Sequence, residues 1–269
     1  MTEFRILQLT DLHLLSNPES TVMGIPTRLT LQDVVETILQ RESEFDHVIV
    51  TGDHTHDERP ESYDAVRRIL KPWRDRLAVV PGNHDDRDVM RTMLGDVIGQ
   101  QNPGDIDGDD RITFMLHYGS WLLVGLDTHV PGQVSGRLGE AQAAWLHERL
   151  AVHGDRPCIL FCHHPTVDVG SDWMDAIGLT DRDLLVDVVR DHPSVRLICC
   201  GHVHHEFEGY SGKTRVVTTP STGLQFRPEG TPSRFADDPP GYRVIELYEN
   251  QLETYVARLP HVEHTPLCD

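Results

Sequence analysis

The sequence predicts an α/β fold: a four-layer αββα sandwich of two mixed sheets flanked by helices, with residues 1–269 forming a single domain. Three observations lead there. Short apolar runs rich in β-branched residues alternate with amphipathic helical patterns, which is how layered α/β proteins read. After Val195–Cys200 the strand-like runs follow one another without intervening helices, which predicts antiparallel pairing and a second sheet. A chain of 269 residues with 38% hydrophobic and 25% charged side chains is long and apolar enough for one large buried core.

Taken in order, Arg5–Leu9 is the first strand, followed by a helix in which Leu31, Val34, Val35, Ile38 and Leu39 fall on one face. Thr30 is the expected N-cap of that helix. His47–Val50 is the second strand, and Pro60 opens a second helix carrying Tyr63, Val66, Ile69 and Leu70. Leu77–Val80, Trp121–Leu126, Cys158–Cys162 and Val195–Cys200 continue the strands, with helices expected over Gly139–Leu150 and Asp181–Arg190. Arg215–Thr219, Tyr242–Tyr248 and Leu252–Leu259 are the late strands, and the stretch 225–241, rich in Pro, Gly and charge, is expected to be a surface loop.

Composition narrows the function. A formal charge of -19 argues against nucleic acid or an anionic membrane as partner, while a bound cation can still reverse the field locally for a small anionic substrate. Five cysteines, an odd number with no CxxC spacing, predict neither a disulfide framework nor a zinc knuckle, and fit a reducing compartment. Met1–Arg5 runs directly into a strand-like stretch, and no apolar run reaches a membrane-spanning length, so a cytoplasmic location is expected. The late strands offer a surface for a homodimer.

The informative residues sit just past the strand ends. Asp11-Leu12-His13 follows the first strand, Gly52-Asp53 the second and Gly82-Asn83-His84-Asp85 the third. His163-His164-Pro165 and Gly201-His202-Val203-His204 follow two later ones. Ligands in α/β sheets collect at the carboxyl ends of strands, so five strand ends each bearing oxygen or nitrogen donors predict a common site. Asp11 and His13, like His202 and His204, are two apart and would point the same way on an extended segment. Each short motif alone is common in turns; their joint occurrence, each directly after a strand, is not. Imidazole, carboxylate and amide without thiolate favour Mn, Fe or Zn in five- or six-coordinate sites. His54, His56, His164 and His205 adjoin these residues and stand as candidates for groups that support ligands from behind.

The order Asp-x-His, Gly-Asp, Gly-Asn-His-Asp, His-His-Pro, Gly-His-x-His resembles the calcineurin-like metallophosphoesterase superfamily. Gly82–Arg87, Gly201–His204, Pro220-Ser221-Thr222 through Gln225-Phe226, and Pro240–Arg243 are similar to its bacterial class III 3',5'-cyclic-AMP phosphodiesterase branch. The resemblance implies one ion held by Asp11, His13, Asp53 and His204, and a second held by Asp53, Asn83, His163 and His202, with Asp53 bridging. It further implies that His84 is a non-ligand imidazole that, with Asn83, contacts the phosphate or else protonates the leaving oxygen, with Asp85 orienting it. The implied cofactors are two divalent or mixed-valence ions. The implied reaction is hydrolysis of a 3',5'-cyclic nucleotide, cAMP first, by attack of a metal-bound hydroxide. A broader phosphodiesterase acting on glycerophosphodiesters or 2',3'-cyclic nucleotides, and a metal-binding scaffold without turnover, are the competing readings. The chain departs from the usual pattern at Gly52–Asp57, where His54 takes the place of an apolar residue and His56 adds a further imidazole.

Overall fold

The computed structural model describes residues 3–42, 44–98, 110–228 and 235–267. Strands β1 (Phe4–Leu9), β2 (His47–Thr51) and β3 (Leu77–Val80) run parallel, and β12 (Gly241–Leu247) and β13 (Leu252–Arg258) complete their sheet in the order β13-β12-β1-β2-β3. Strand β12 lies antiparallel to both β1 and β13. The second sheet has the order β4-β5-β6-β7-β9-β8, from β4 (Phe114–Tyr118), β5 (Trp121–Gly125), β6 (Cys158–Phe161), β7 (Val195–Cys200), β8 (Phe207–Ser211) and β9 (Thr214–Thr218). Its centre, β5 through β7 and on to β9, is parallel, and its edge strands β4 and β8 are antiparallel.

Alternation along the strands produces the layers. Ile6, Ile49, Ala78 and Val80 of the first sheet meet Leu123, Ile159, Phe161, Leu197 and Cys199 of the second in a shared inner core. The intervening residues face outward. Leu7, Leu9, Val48, Val50 and Val79 pack under helices α1 (Thr27–Arg41), α2 (Pro60–Ile69) and α3 (Arg87–Ile98). Leu122, Val124, Leu160, Ile198 and Cys200 pack under α4 (Glu140–His153) and α6 (Arg182–Asp191), with the short α5 (Asp172–Asp175) between them in sequence. Four layers, αββα, result, and Cys199 and Cys200 point to opposite faces as adjacent strand residues must. The four described cysteines are all free and buried. No helix among the described residues is long and apolar enough to cross a membrane.

Several expectations need correction. The late strands do not form a sheet of their own: β9 joins β7, whereas β12 and β13 cross to the first sheet beside β1. Helix α1 begins at Thr27, after Pro26, so Thr30 is not its cap; the Thr30 hydroxyl donates within the helix to Thr27 O at 3.1 Å. The stretch 225–241 contains a small antiparallel ribbon, β10 (Gln225–Phe226) with β11 (Phe235–Ala236), whose Gln225 is buried; residues 229–234 lie outside the described residues. No helix was expected over Arg87–Ile98, yet α3 buries Met90, Leu94 and Val97 at helical spacing, with Leu94 off helical geometry (φ -116°) beside Gly95.

Candidate metal centre

Five loops converge at the carboxyl ends of β1, β2, β3, β6 and β7, and hydrogen bonds between their backbones fix the register. Asp11 N–H donates to Gly52 O (3.1 Å), His13 N–H to Asp53 O (2.9 Å), and Gly201 N–H to His163 O (2.9 Å). The side chains of Asp11, His13, Asp53, His163, His202 and His204 are all buried, while Asn83 and His84 remain half-exposed at the rim.

The extended geometry expected for Asp11/His13 and His202/His204 is not what places them. Asp11, His13, Asp53, His202 and His204 all have left-handed backbones, with φ of 54°, 47°, 51°, 70° and 52°. Such conformations cost on the order of 1–3 kcal/mol each and persist where surroundings enforce them. Here they turn five donors inward in succession. Gly52 (φ 92°) is required for the same reason: a Cβ there would stand 2.6 Å from both Gly82 N and His163 Nδ1. Gly82 packs its backbone directly on Asp53, closing the other side of that turn.

The donor atoms form two groups. Ligand atoms of Asp11, His13, Asp53 and His204 all lie within 4.8 Å of one another. His13 Nε2 and His204 Nε2 are 3.0 Å apart, His13 Nε2 and Asp53 Oδ2 3.4 Å, and His204 Nε2 and Asp11 Oδ1 3.3 Å. Ligands about 2.1 Å from one cation stand about 3.0–3.4 Å apart, so these spacings fit a shared ion. In the second group Asn83 Oδ1 lies 3.1 Å from His163 Nε2 and 2.9 Å from His202 Nδ1. Asp53 Oδ2 is 3.4 Å from His163 Nε2 as well as from His13 Nε2, so a single oxygen faces both groups. The outer nitrogens are committed: His204 Nδ1 donates to Leu224 O and His163 Nδ1 to Thr51 O, both at 2.8 Å, which leaves the Nε2 atoms facing inward.

Electrostatics agree with a cation-binding role. Burial opposes a charge on His163, but Asp53 and Asp11 outweigh it and push the imidazole up to about 10. Burial opposes the charge on Asp53, but the His163 imidazolium and its hydrogen bond overcome that cost and hold the carboxyl well below the usual carboxylate range. Burial, reinforced by neighbouring imidazoles, pushes His13 and His202 well down and keeps them neutral. Carboxylates and neutral imidazoles packed this closely are stabilised by shared positive charge.

Supporting side chains divide by role. Asp85 does not orient His84. Its carboxylate accepts from His54 N–H (3.1 and 3.2 Å), Gly82 N–H (2.9 Å) and Tyr63 O–H (3.0 Å) and pairs with His54 Nδ1 (2.9 Å), tying the β2 and β3 loops together. His164, though close to His163 and His202, has both ring nitrogens engaged, Nδ1 with Thr128 Oγ1 (2.8 Å) and Nε2 with Val134 O (3.0 Å). His205 Nδ1 bonds Val203 O at 2.7 Å, bracing the last turn. Ser221 Oγ–H donates to Asp11 O at 2.7 Å, which gives the Pro220–Thr222 segment its place behind the site.

Asp127, fully buried, went unnoticed in the sequence. It follows β5 as the other donors follow their strands, so the strand-end pattern would have found it. Arg87 grips it in a two-pronged pair, Nε to Oδ2 and Nη2 to Oδ1, both 2.8 Å, and also donates to His129 O. This bond joins the start of α3, just past His84, to the second sheet. Asp127→Ala should lower stability by about 3–5 kcal/mol, because the Arg87 charge loses its buried partner. Urea unfolding midpoints measure it, and a midpoint matching the wild type would contradict this coupling.

The family model for calcineurin-like phosphoesterases matches residues 4–206, a stretch that holds all seven candidate ligands. The chain belongs to the calcineurin-like phosphoesterase family. Among relatives in this family, it is 32% identical to the 3',5'-cyclic adenosine monophosphate phosphodiesterase CpdA of Pseudomonas aeruginosa, over 96% of this chain and 90% of that protein. Against the enzyme of the same name from Escherichia coli strain K12 it is 31% identical, over 97% and 92%. The phosphoesterase fold is similar to a dimetal phosphatase from Danio rerio, with a TM-score of 0.72 at 16% identity, covering 95% of this chain and 96% of that one. The αββα sandwich is therefore the family's fold, and the Asp/His cluster lies within the segment that defines it.

Proposed function

We propose that this protein is a dinuclear-metal phosphodiesterase that hydrolyses 3',5'-cyclic nucleotides, with cAMP the preferred substrate, to nucleoside monophosphates. The observation that carries the reading is Asp53 Oδ2, 3.4 Å from an imidazole nitrogen of each donor group. Asp11, His13, Asp53 and His204 would hold one ion, and Asp53, Asn83, His163 and His202 the other. Thiolate-free donors suit Mn, Fe or Zn. Such ions would supply Lewis acidity towards a phosphodiester and would lower the pKa of water towards neutrality. Two divalent charges against the carboxylates of Asp11 and Asp53 leave a positive field, which suits a phosphodiester monoanion.

The remaining steps belong to the chain. Asn83 and His84 stand at the open rim, where they meet the phosphate, and His84 delivers a proton to the departing sugar oxygen. His84 is fixed from its own backbone, whose N–H donates to Asp53 Oδ1 at 2.8 Å. Names of the relatives support cAMP as the first substrate to test.

With Mn²⁺-reconstituted protein, 3',5'-cAMP should exceed 2',3'-cAMP and glycerophosphodiesters in kcat/KM by at least about tenfold, a difference of 1.36 kcal/mol in the barrier. Equal rates across 3',5'-cAMP, cGMP, 2',3'-cAMP and glycerophosphodiesters would replace this reading with a broader phosphodiesterase. Two bound ions with no turnover of any of them would leave a metal-binding scaffold.

A further inference from the structure

Three ligand imidazoles turn Nε2 inward, and two of them anchor the outer nitrogen on a backbone carbonyl, His204 on Leu224 O and His163 on Thr51 O. His13 differs. Its Nδ1 lies 3.3 Å from Nδ1 of His56, so its partner is a side chain. The same His56 ring lies face to face with His84, with centroids 4.9 Å apart and planes at 15°. His13 in turn meets His84 edge-on, at 5.0 Å and 77°, so the three rings form one packed unit.

The backbone sets His56 in this place. Its N–H donates to Leu14 O at 2.9 Å, continuing the loop pairing that begins with His13 N–H on Asp53 O. The next residue, Asp57, closes the turn by accepting from Ser16 N–H at 2.9 Å and from the Ser62 hydroxyl. His56 is therefore held by the same strand-end register that brings Asp53 to His13.

We propose that His56 is a positioning residue with two contacts: its Nδ1 accepts the His13 Nδ1–H, aiming the His13 Nε2 lone pair at the first ion, and its face fixes the His84 ring. Partners behind a ligand imidazole are typically worth about 10–100-fold in metal affinity. A side chain in this role, where His163 and His204 use backbone, makes the contact removable by substitution.

Two variants separate the contacts. His56→Phe keeps a flat ring against His84 and removes the nitrogen; His56→Gln keeps a polar acceptor and removes the ring. When Mn²⁺-loaded protein is titrated with EDTA, His56→Phe should surrender one of two metal equivalents at an about 10–100-fold lower chelator concentration than wild type. His56→Gln should retain both equivalents as wild type does, while its kcat on bis-p-nitrophenyl phosphate falls and KM holds. The kcat arm rests on the hydrolytic reading proposed above; the metal arm does not. Wild-type metal retention in His56→Phe overturns the proposal whatever the rates. Loss of one equivalent in His56→Phe alone supports it, even from a wild-type protein that cleaves no ester, in which case the hydrolytic reading is what fails.

Discussion

Asp53→Ala is expected to abolish dinuclear occupancy and to reduce turnover by on the order of 10³-fold or more, while the fold persists. One carboxylate oxygen faces both His13 and His163, so its removal takes a donor from each group together. An ion's Lewis acidity is worth several kcal/mol to phosphoryl transfer, and each 1.36 kcal/mol is tenfold in rate. Persistence of the fold follows from magnitudes. Alanine at the Asp53 φ of 51° costs about 1–2 kcal/mol, against a stability of about 5–15 kcal/mol for a typical protein. Metal analysis per chain, circular dichroism and turnover together decide the case. Two ions bound with near-normal turnover would refute the bridge.

His84→Ala is expected to keep both metals and lose about 10²–10⁴-fold in kcat towards esters with poor leaving groups, including a sugar oxygen. Metal retention is expected because the contact of His84 with Asp53 runs through its backbone N–H, which alanine preserves. The loss should shrink for p-nitrophenyl esters, whose leaving group departs without a proton. Equal losses across a leaving-group series would assign His84 to binding the phosphate and remove it as the acid. His84 also packs on His13 and His56, so chelator titration of the same variant checks that the metal groups stay intact.

Much of the centre was legible because its donors are local facts of the chain. Each candidate ligand follows a buried apolar run, and such runs end where a sheet ends. Misreadings arose where a side chain's partner is distant in sequence. Asp85 adjoins His84, which suggested a pair; in space it serves His54 and Tyr63, 31 and 22 residues away. Thr30 has the chemistry of a cap, but Pro26 already starts the helix and leaves Thr30 inside it. Strand β4 escaped notice because it is an edge strand with partly exposed apolar residues, so it lacks the continuous run that marks a central strand.

By itself the sequence determined the α/β layering, the strand ends that carry chemistry and the donor types available there, because period, burial and ligand chemistry are properties of short segments. Tertiary structure alone decided which donor atoms lie together and that Asp53 faces both groups. It also decided that five of the donors are left-handed, and that His56 stands behind His13 and against His84. Those are relations between segments as far apart as His13 and His204, 191 residues along the chain. No local rule sets such a distance; the packing of two sheets against each other does.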